Sequence, residues 1–107
     1  MDVINELLDK IDIVEMARKY TELEPSSDGA YRGKCPIHHG ENDTSFVVYP
    51  NGHYYCFSCH SFGNAIQLYS EITGEPFYQA VEHLCEEYEV SNDDETYKKS
   101  RDVVGNN

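Results

Sequence analysis

Val3, Ile4, Leu7, Leu8 and Ile11 recur three and four residues apart with charged residues between them, the spacing that lays one apolar stripe along an α-helix. A second run, Ile13, Val14, Ala17 and Tyr20, repeats that spacing behind Asp12, a residue suited to capping a helix start. The two runs read either as one bent helix or as two. Pro25-Ser26-Ser27-Asp28-Gly29 breaks the period, after which residues 30–34 can run extended. Residues 44–49 are rich in β-branched and aromatic side chains, Pro50-Asn51-Gly52 carries turn chemistry, and residues 53–57 return as a second strand, so a hairpin is expected. Beyond it, Asn64 caps a short amphipathic helix through Ala65, Ile66, Leu68, Tyr69 and Ile72, with Gly74 as its stop. Pro76 opens the last helix, in which Phe77, Ala80, Val81, Leu84, Cys85 and Tyr88 follow a helical period and are expected to pack. Helices around a small antiparallel sheet give an α+β domain over residues 1–90. The polar stretch 91–107 is expected to be a disordered tail, with Tyr97, Val103 and Val104 as its apolar docking residues.

Set into the strand segments are Cys35-Pro-Ile-His38 and, after residues 39–55, Cys56-Phe-Ser-Cys59. Zinc takes four soft or borderline ligands at tetrahedral angles, and two knuckles with two ligands each supply them once the halves meet in space. Cys35, His38, Cys56 and Cys59 therefore read as one Cys3His site holding a single Zn2+. A filled ligand set leaves no position for water, so the metal is expected to be structural. The competing readings are a chance pair of spacings or a disulfide. The knuckle spacing favours His38 over the adjacent His39, and His39, His60 and His83 read as surface histidines. Cys85 is left as an odd thiol at an apolar helical position, read as core rather than as a fifth ligand or redox group.

At 107 residues the chain has a limited hydrophobic core, a shortfall that a metal offsets. The odd cysteine suits a reducing cytoplasm better than a secreted disulfide scaffold. Charges interrupt the apolar N-terminal run, so neither a signal peptide nor a membrane span is expected. The formal net charge of −12 excludes a generic polyanion binder. Residues 64–90 carry Glu71, Glu75, Glu82, Glu86, Glu87 and Glu89 with no Lys or Arg, a surface that repels phosphate. Lys10, Arg18 and Lys19 lie in the first helical region and Lys98, Lys99 and Arg101 in the tail, so near the metal the cations are Arg32 and Lys34.

The segments Y-R-G-K-C-P-I-H at 31–38, S-F-V-V at 45–48, Y-Y-C-F-S-C at 54–59, G-N-A-I at 63–66 and G-x-P-F-x-x-A-V at 74–81 agree in order and spacing with one family. Over about residues 11–90 the chain resembles the N-terminal zinc-binding domain of bacterial and phage DnaG-type DNA primases, the CHC2 zinc finger family. The resemblance implies a zinc ribbon with the metal at one end of the sheet and His38 as the fourth ligand. It also implies a part in recognising the single-stranded template at which a primer is begun. In that family polymerisation belongs to a separate catalytic domain. The acidic residues of this chain show no pattern suggesting a paired-magnesium site, so it is not expected to make primers alone. Gly40-Glu-Asn-Asp-Thr44 departs from the family wording and adds acid where a basic residue often sits.

Tyr31, Phe46, Tyr49, Tyr54, Tyr55 and Phe57 crowd the strand segments, and alternation sends about half to an exposed face where they can stack on unpaired bases. Phe46 and Phe57 are assigned to the core, while Tyr49, Tyr54 and Tyr55 stand open between core and surface. Arg32 and Lys34, two apart, share one face of an extended segment and can hold a phosphate. Ser45, with Thr44, and His53 add hydrogen bonds, and Tyr31 and Tyr55 complete the expected DNA contacts. The expected partners are single-stranded DNA and a primase catalytic subunit or replicative helicase. The second class is a regulatory factor that mimics the primase domain and binds replication proteins through an acidic helix, a reading motivated by the Glu-rich stretch 71–89.

Overall fold

The computed structural model describes residues 3–39 and 41–91. The N-terminal apolar run is two helices, α1 (Val3–Lys10) and α2 (Ile13–Arg18), and Asp12 causes the break. Its backbone is extended, and its Oδ1 accepts from the N–H groups of Val14 at 3.0 Å and Glu15 at 3.3 Å. Two donors orphaned at a helix start are thereby satisfied.

Five strands follow as a purely antiparallel meander in the order β1 (Leu23–Pro25), β2 (Tyr31–Gly33), β3 (Phe46–Tyr49), β4 (His53–Cys56), β5 (Phe62–Asn64). The hairpin β3–β4 and the extended β2 match the sequence pattern. β1 and β5 were not expected, because three residues are too few to show a period of two, and each contains a residue that weakens a strand signal, Pro25 and Gly63.

Register sorts every strand residue onto one of two faces. Leu23, Gly33, Phe46 and Cys56 lie opposite one another across β1 to β4, and Pro25, Tyr31, Val48, Tyr54 and Gly63 form a second row on the same face. From these rows Leu23, Phe46, Val48, Tyr54 and Cys56 join the core built with Leu7, Ile13, Met16, Leu68, Val81 and Leu84. The intervening row, Glu24, Arg32, Val47, Tyr55 and Phe62, faces away from the helices. Tyr54 and Tyr55, open between core and surface by sequence, are thus divided between the two faces. Tyr54 is buried, its hydroxyl 2.8 Å from Ser61 Oγ, and burial raises its pKa against the opposing effect of that hydrogen bond.

β5 runs directly into α3 (Ala65–Thr73), and α4 (Phe77–Tyr88) packs beside it. Asn64 caps α3 as expected, within a reciprocal box: Gln67 N–H donates to Asn64 Oδ1 at 3.0 Å and Asn64 N–H donates to Gln67 Oε1 at 2.9 Å. Gly74 ends the helix and Pro76 precedes the next. Cys85 is buried on α4 in the main core, as its helical spacing predicts. The expected tail lies, beyond Ser91, outside the described residues. Among the described residues no helix is long and apolar enough to cross a membrane.

Gly33 on β2 packs against the residue that leads into β1: a Cβ there would lie 2.2 Å from the carbonyl oxygen of Glu22. That atom is backbone, so relief requires moving β1. Gly33→Ala is expected to cost about 1–3 kcal/mol. A thermal scan should show a midpoint lowered by about 4–8 °C for each kcal/mol lost. An unchanged midpoint would mean that β1 yields freely.

Candidate metal centre

The two knuckles are built alike. Each starts from a buried cysteine at or just past a strand end, Cys35 after β2 and Cys56 closing β4, and each carries an exposed second ligand three residues on, His38 and Cys59. Each is followed by a histidine in the left-handed region, His39 at φ 53° and His60 at φ 63°. That conformation turns the chain sharply back after the second ligand, and His60 N–H closes the turn on the Cys56 carbonyl at 2.8 Å. β2 is pinned on the approach to Cys35 by the Thr21 hydroxyl, which donates to the Lys34 carbonyl at 2.8 Å. The loop between the knuckles is anchored when Phe57 N–H donates to the Ser45 carbonyl at 2.8 Å.

The result is a four-atom cluster. The ligand atoms of Cys35, His38, Cys56 and Cys59 all lie within 4.8 Å of one another, with Cys35 Sγ 4.0 Å from Cys59 Sγ and Cys56 Sγ 3.9 Å from His38 Nδ1. A tetrahedron with zinc–sulfur bonds of about 2.3 Å has edges of about 3.8 Å. Three thiols and an imidazole at that spacing fit zinc, and the backbone fits its charge. The N–H groups of Ser58 and Cys59 point at Cys56 Sγ, and those of His38 and Ile37 at Cys35 Sγ. Burial pushes the Cys35 thiol up to about 12 against its two amide donors. At Cys56 burial also works upward, but the amides and neighbouring thiols outweigh it and the net shift is downward. Zinc binding must therefore displace the proton that burial favours on Cys35.

A metal held by four protein ligands has no open position for water or substrate, which makes this a structural site. The family profile of the CHC2 zinc finger matches residues 1–100. The chain belongs to the CHC2 zinc finger family. The role of its metal follows: one structural zinc, held by the Cys3His cluster. The CHC2 finger is 38% identical over 85 residues to the DNA primase of Thermotoga maritima, an alignment covering 78% of this chain and 15% of that protein. To a Staphylococcus aureus DNA primase it is 34% identical over 102 residues, covering 94% and 17%. Among solved structures, the crystal structure of the Aquifex aeolicus primase, comprising zinc-binding and RNA polymerase domains, superposes with a TM-score of 0.78 at 32% identity, over 87% of this chain and 23% of that one. The chain therefore spans about 15% of the length of the curated primases it matches.

Around the CHC2 site the residues expected to touch DNA are not all gathered. Arg32 and Tyr55 flank Val47 on the outer face of the sheet, and His53 is exposed on β4 with Nδ1 3.3 Å from Asn51 Oδ1. Lys34 joins Arg32 in lining an open cavity of about 440 Å³, which it shares with Glu22, Glu24 and Asp43. Arg32 is held by the Thr44 carbonyl at 3.1 Å and pairs with Asp28 at 3.8 Å.

Three expectations need correction. Ser45 is 3% exposed and its hydroxyl donates to the Asn42 carbonyl at 3.1 Å, so it closes the loop and is not free to contact DNA. Tyr31 lies on the inner face, partly buried, with the Arg18 guanidinium 5.2 Å from its ring centre, so it does not share a surface with Arg32. Phe57, assigned to the core, is 54% exposed. It follows Cys56 inside the knuckle, where strand alternation no longer governs which way a side chain points.

Two participants escaped the sequence reading. Asn42 Oδ1 accepts from both the amide (2.9 Å) and the hydroxyl (2.8 Å) of Thr44, which shapes the acidic loop against Arg32. An Asn two residues before a Thr is a recognisable turn signal. Phe62, 71% exposed opposite Tyr55, depends on the short β5 and carries no such signal.

Proposed function

We propose that this domain recognises single-stranded DNA as the template on which a primer is begun, in concert with a separate primase catalytic subunit or domain or with a replicative helicase. The observation that carries this reading is the outer face of the sheet. Arg32 and Tyr55 stand in one cross-strand row turned away from the core, with Lys34 two residues beyond Arg32 and His53 two residues before Tyr55. A cation for phosphate and a ring for a base then lie within one nucleotide's reach. Similarity to DNA primases supports the same reading. Primer synthesis falls to the catalytic partner, and the domain works in the cytoplasm.

Glu22, Glu24, Asp28 and Asp43 crowd the two cations, so binding is expected to be weak and salt-sensitive. Two phosphate contacts predict a slope of roughly −1.4 for log affinity against log salt on a single strand. Fluorescence anisotropy of a labelled oligonucleotide tests this. Arg32→Ala/Lys34→Ala should weaken binding about tenfold to thirtyfold at low salt, at about 1 kcal/mol per contact, and flatten the slope. Equal binding by the double variant would sink the reading. Docking through the acidic helix finds no comparable support, because Glu87 is bridged to Lys19 and Glu75 to His83 within the fold.

A further inference from the structure

Phe57 and Phe62, at 54% and 71%, are the most exposed large apolar side chains among the described residues, and each lies against the ring of Tyr55. Phe57 meets it edge-on with centroids 4.7 Å apart, and Phe62, its cross-strand partner, lies at 6.4 Å with planes inclined by 36°. Within the row, Val47 stands between Arg32 and Tyr55 and is fully buried, so the side chains around it cover that part of the face.

His60 holds the central ring from a third side: its Nδ1 lies 3.1 Å from the Tyr55 hydroxyl. It does so from a left-handed backbone, φ 63°, that a glycine adopts without strain and a histidine does not. The Arg32 guanidinium lies 5.9 Å from the Phe57 ring centre, while its Nη1 is fixed by the Thr44 carbonyl.

We propose that Tyr55, Phe57 and Phe62 form a stacking subsite for one unpaired nucleobase, with His60 as the residue that positions Tyr55; this rests on the single-strand reading above and names where the base goes. Stacking rings beside a fixed cation match the two faces of a nucleotide, an apolar base and an anionic phosphate. The surroundings favour that occupant over a protein. Next to the rings the outer face offers Arg32, His53 and Asn64, with Glu24 and Asp28 on the far side of Arg32, so the cation nearest the rings points to a ligand that joins a flat apolar group to a phosphate.

The test uses the zinc-loaded chain with two labelled oligomers of equal length and charge, oligothymidylate and its abasic counterpart, and follows anisotropy across a salt series. Wild type should prefer the base-bearing strand about tenfold, and Phe62→Ala should abolish that preference while leaving the salt slope unchanged. Phe62→Trp should restore it. His60→Gly should retain the zinc and the thermal midpoint yet lose part of the preference, an effect that a purely structural histidine would not produce. Salt-dependent binding by wild type, with the same base preference in Phe62→Ala, overturns the subsite and leaves the template-binding reading intact. No binding by wild type overturns both. A dimer that Phe62→Ala converts to monomer, with DNA binding untouched, would assign the rings to a protein contact and also overturn the proposal.

Discussion

Removing the zinc is expected to unfold the whole domain rather than loosen one end of it. Cys35 and Cys56 are 1% and 0% exposed, and Cys56 belongs to the same cross-strand row as Phe46, so the metal is continuous with the hydrophobic core. Structural zinc in finger peptides contributes an apparent 10–16 kcal/mol, roughly, at neutral pH. A small domain has about 5–15 kcal/mol of net stability in all. The first quantity matches or exceeds the second, so the metal-free chain has nothing left to hold the sheet together. A chelator should therefore abolish the cooperative thermal transition in far-ultraviolet circular dichroism, and added zinc should restore it. Cys56→Ser should behave like the chelated protein. Cys85→Ala provides the control, because that thiol is buried on α4 away from the cluster and zinc stoichiometry should stay at one. A chelated protein that still melts cooperatively at the original temperature would show that the core stands without the metal.

The ligand set was legible in the sequence because knuckle spacing is a local property: each pair of ligands sits three residues apart whatever the rest of the chain does. Helix boundaries were legible for the same reason. Asp12, Asn64, Gly74 and Pro76 act on backbone groups within a turn of themselves, and the helices start and stop beside them. The faces of the sheet required register. Alternation says that Tyr54 and Tyr55 part company, but which one turns inward depends on pairing with β3, a contact that no local signal encodes.

Phe57 and Ser45 mark the same boundary from opposite sides. Hydropathy alone sends a phenylalanine inward and a serine outward, yet Phe57 is carried out by the knuckle while Ser45 is drawn in by Asn42 and by the Phe57 amide on its carbonyl. In both cases the metal turn and the loop it anchors override the preference of the side chain. The outer face is consequently more aromatic than its sequence suggested, and the surface proposed for DNA shifts toward β4 and β5.

Phe46→Ala should produce the second large loss, and it should appear in the affinity for zinc as well as in the melting curve. Phe46 is fully buried between Gly33 and Cys56 in register, with its ring 5.9 Å from that of Tyr54. Truncating such a residue costs about 3–5 kcal/mol, through lost transfer energy and the cavity left behind. Because the metal binds the folded chain far better than the unfolded one, whatever destabilises the fold is subtracted from the observed binding energy. At about 1.4 kcal/mol per tenfold, the apparent zinc affinity should fall by roughly two to three and a half orders of magnitude. Competition against a chromogenic chelator measures that fall without any DNA present. Phe46→Leu fills much of the same space and should recover most of the affinity. Retention of wild-type affinity by Phe46→Ala would mean that the four ligands assemble independently of the sheet beneath them. That result would also undo the first prediction, since a site indifferent to its core cannot be what holds the core together.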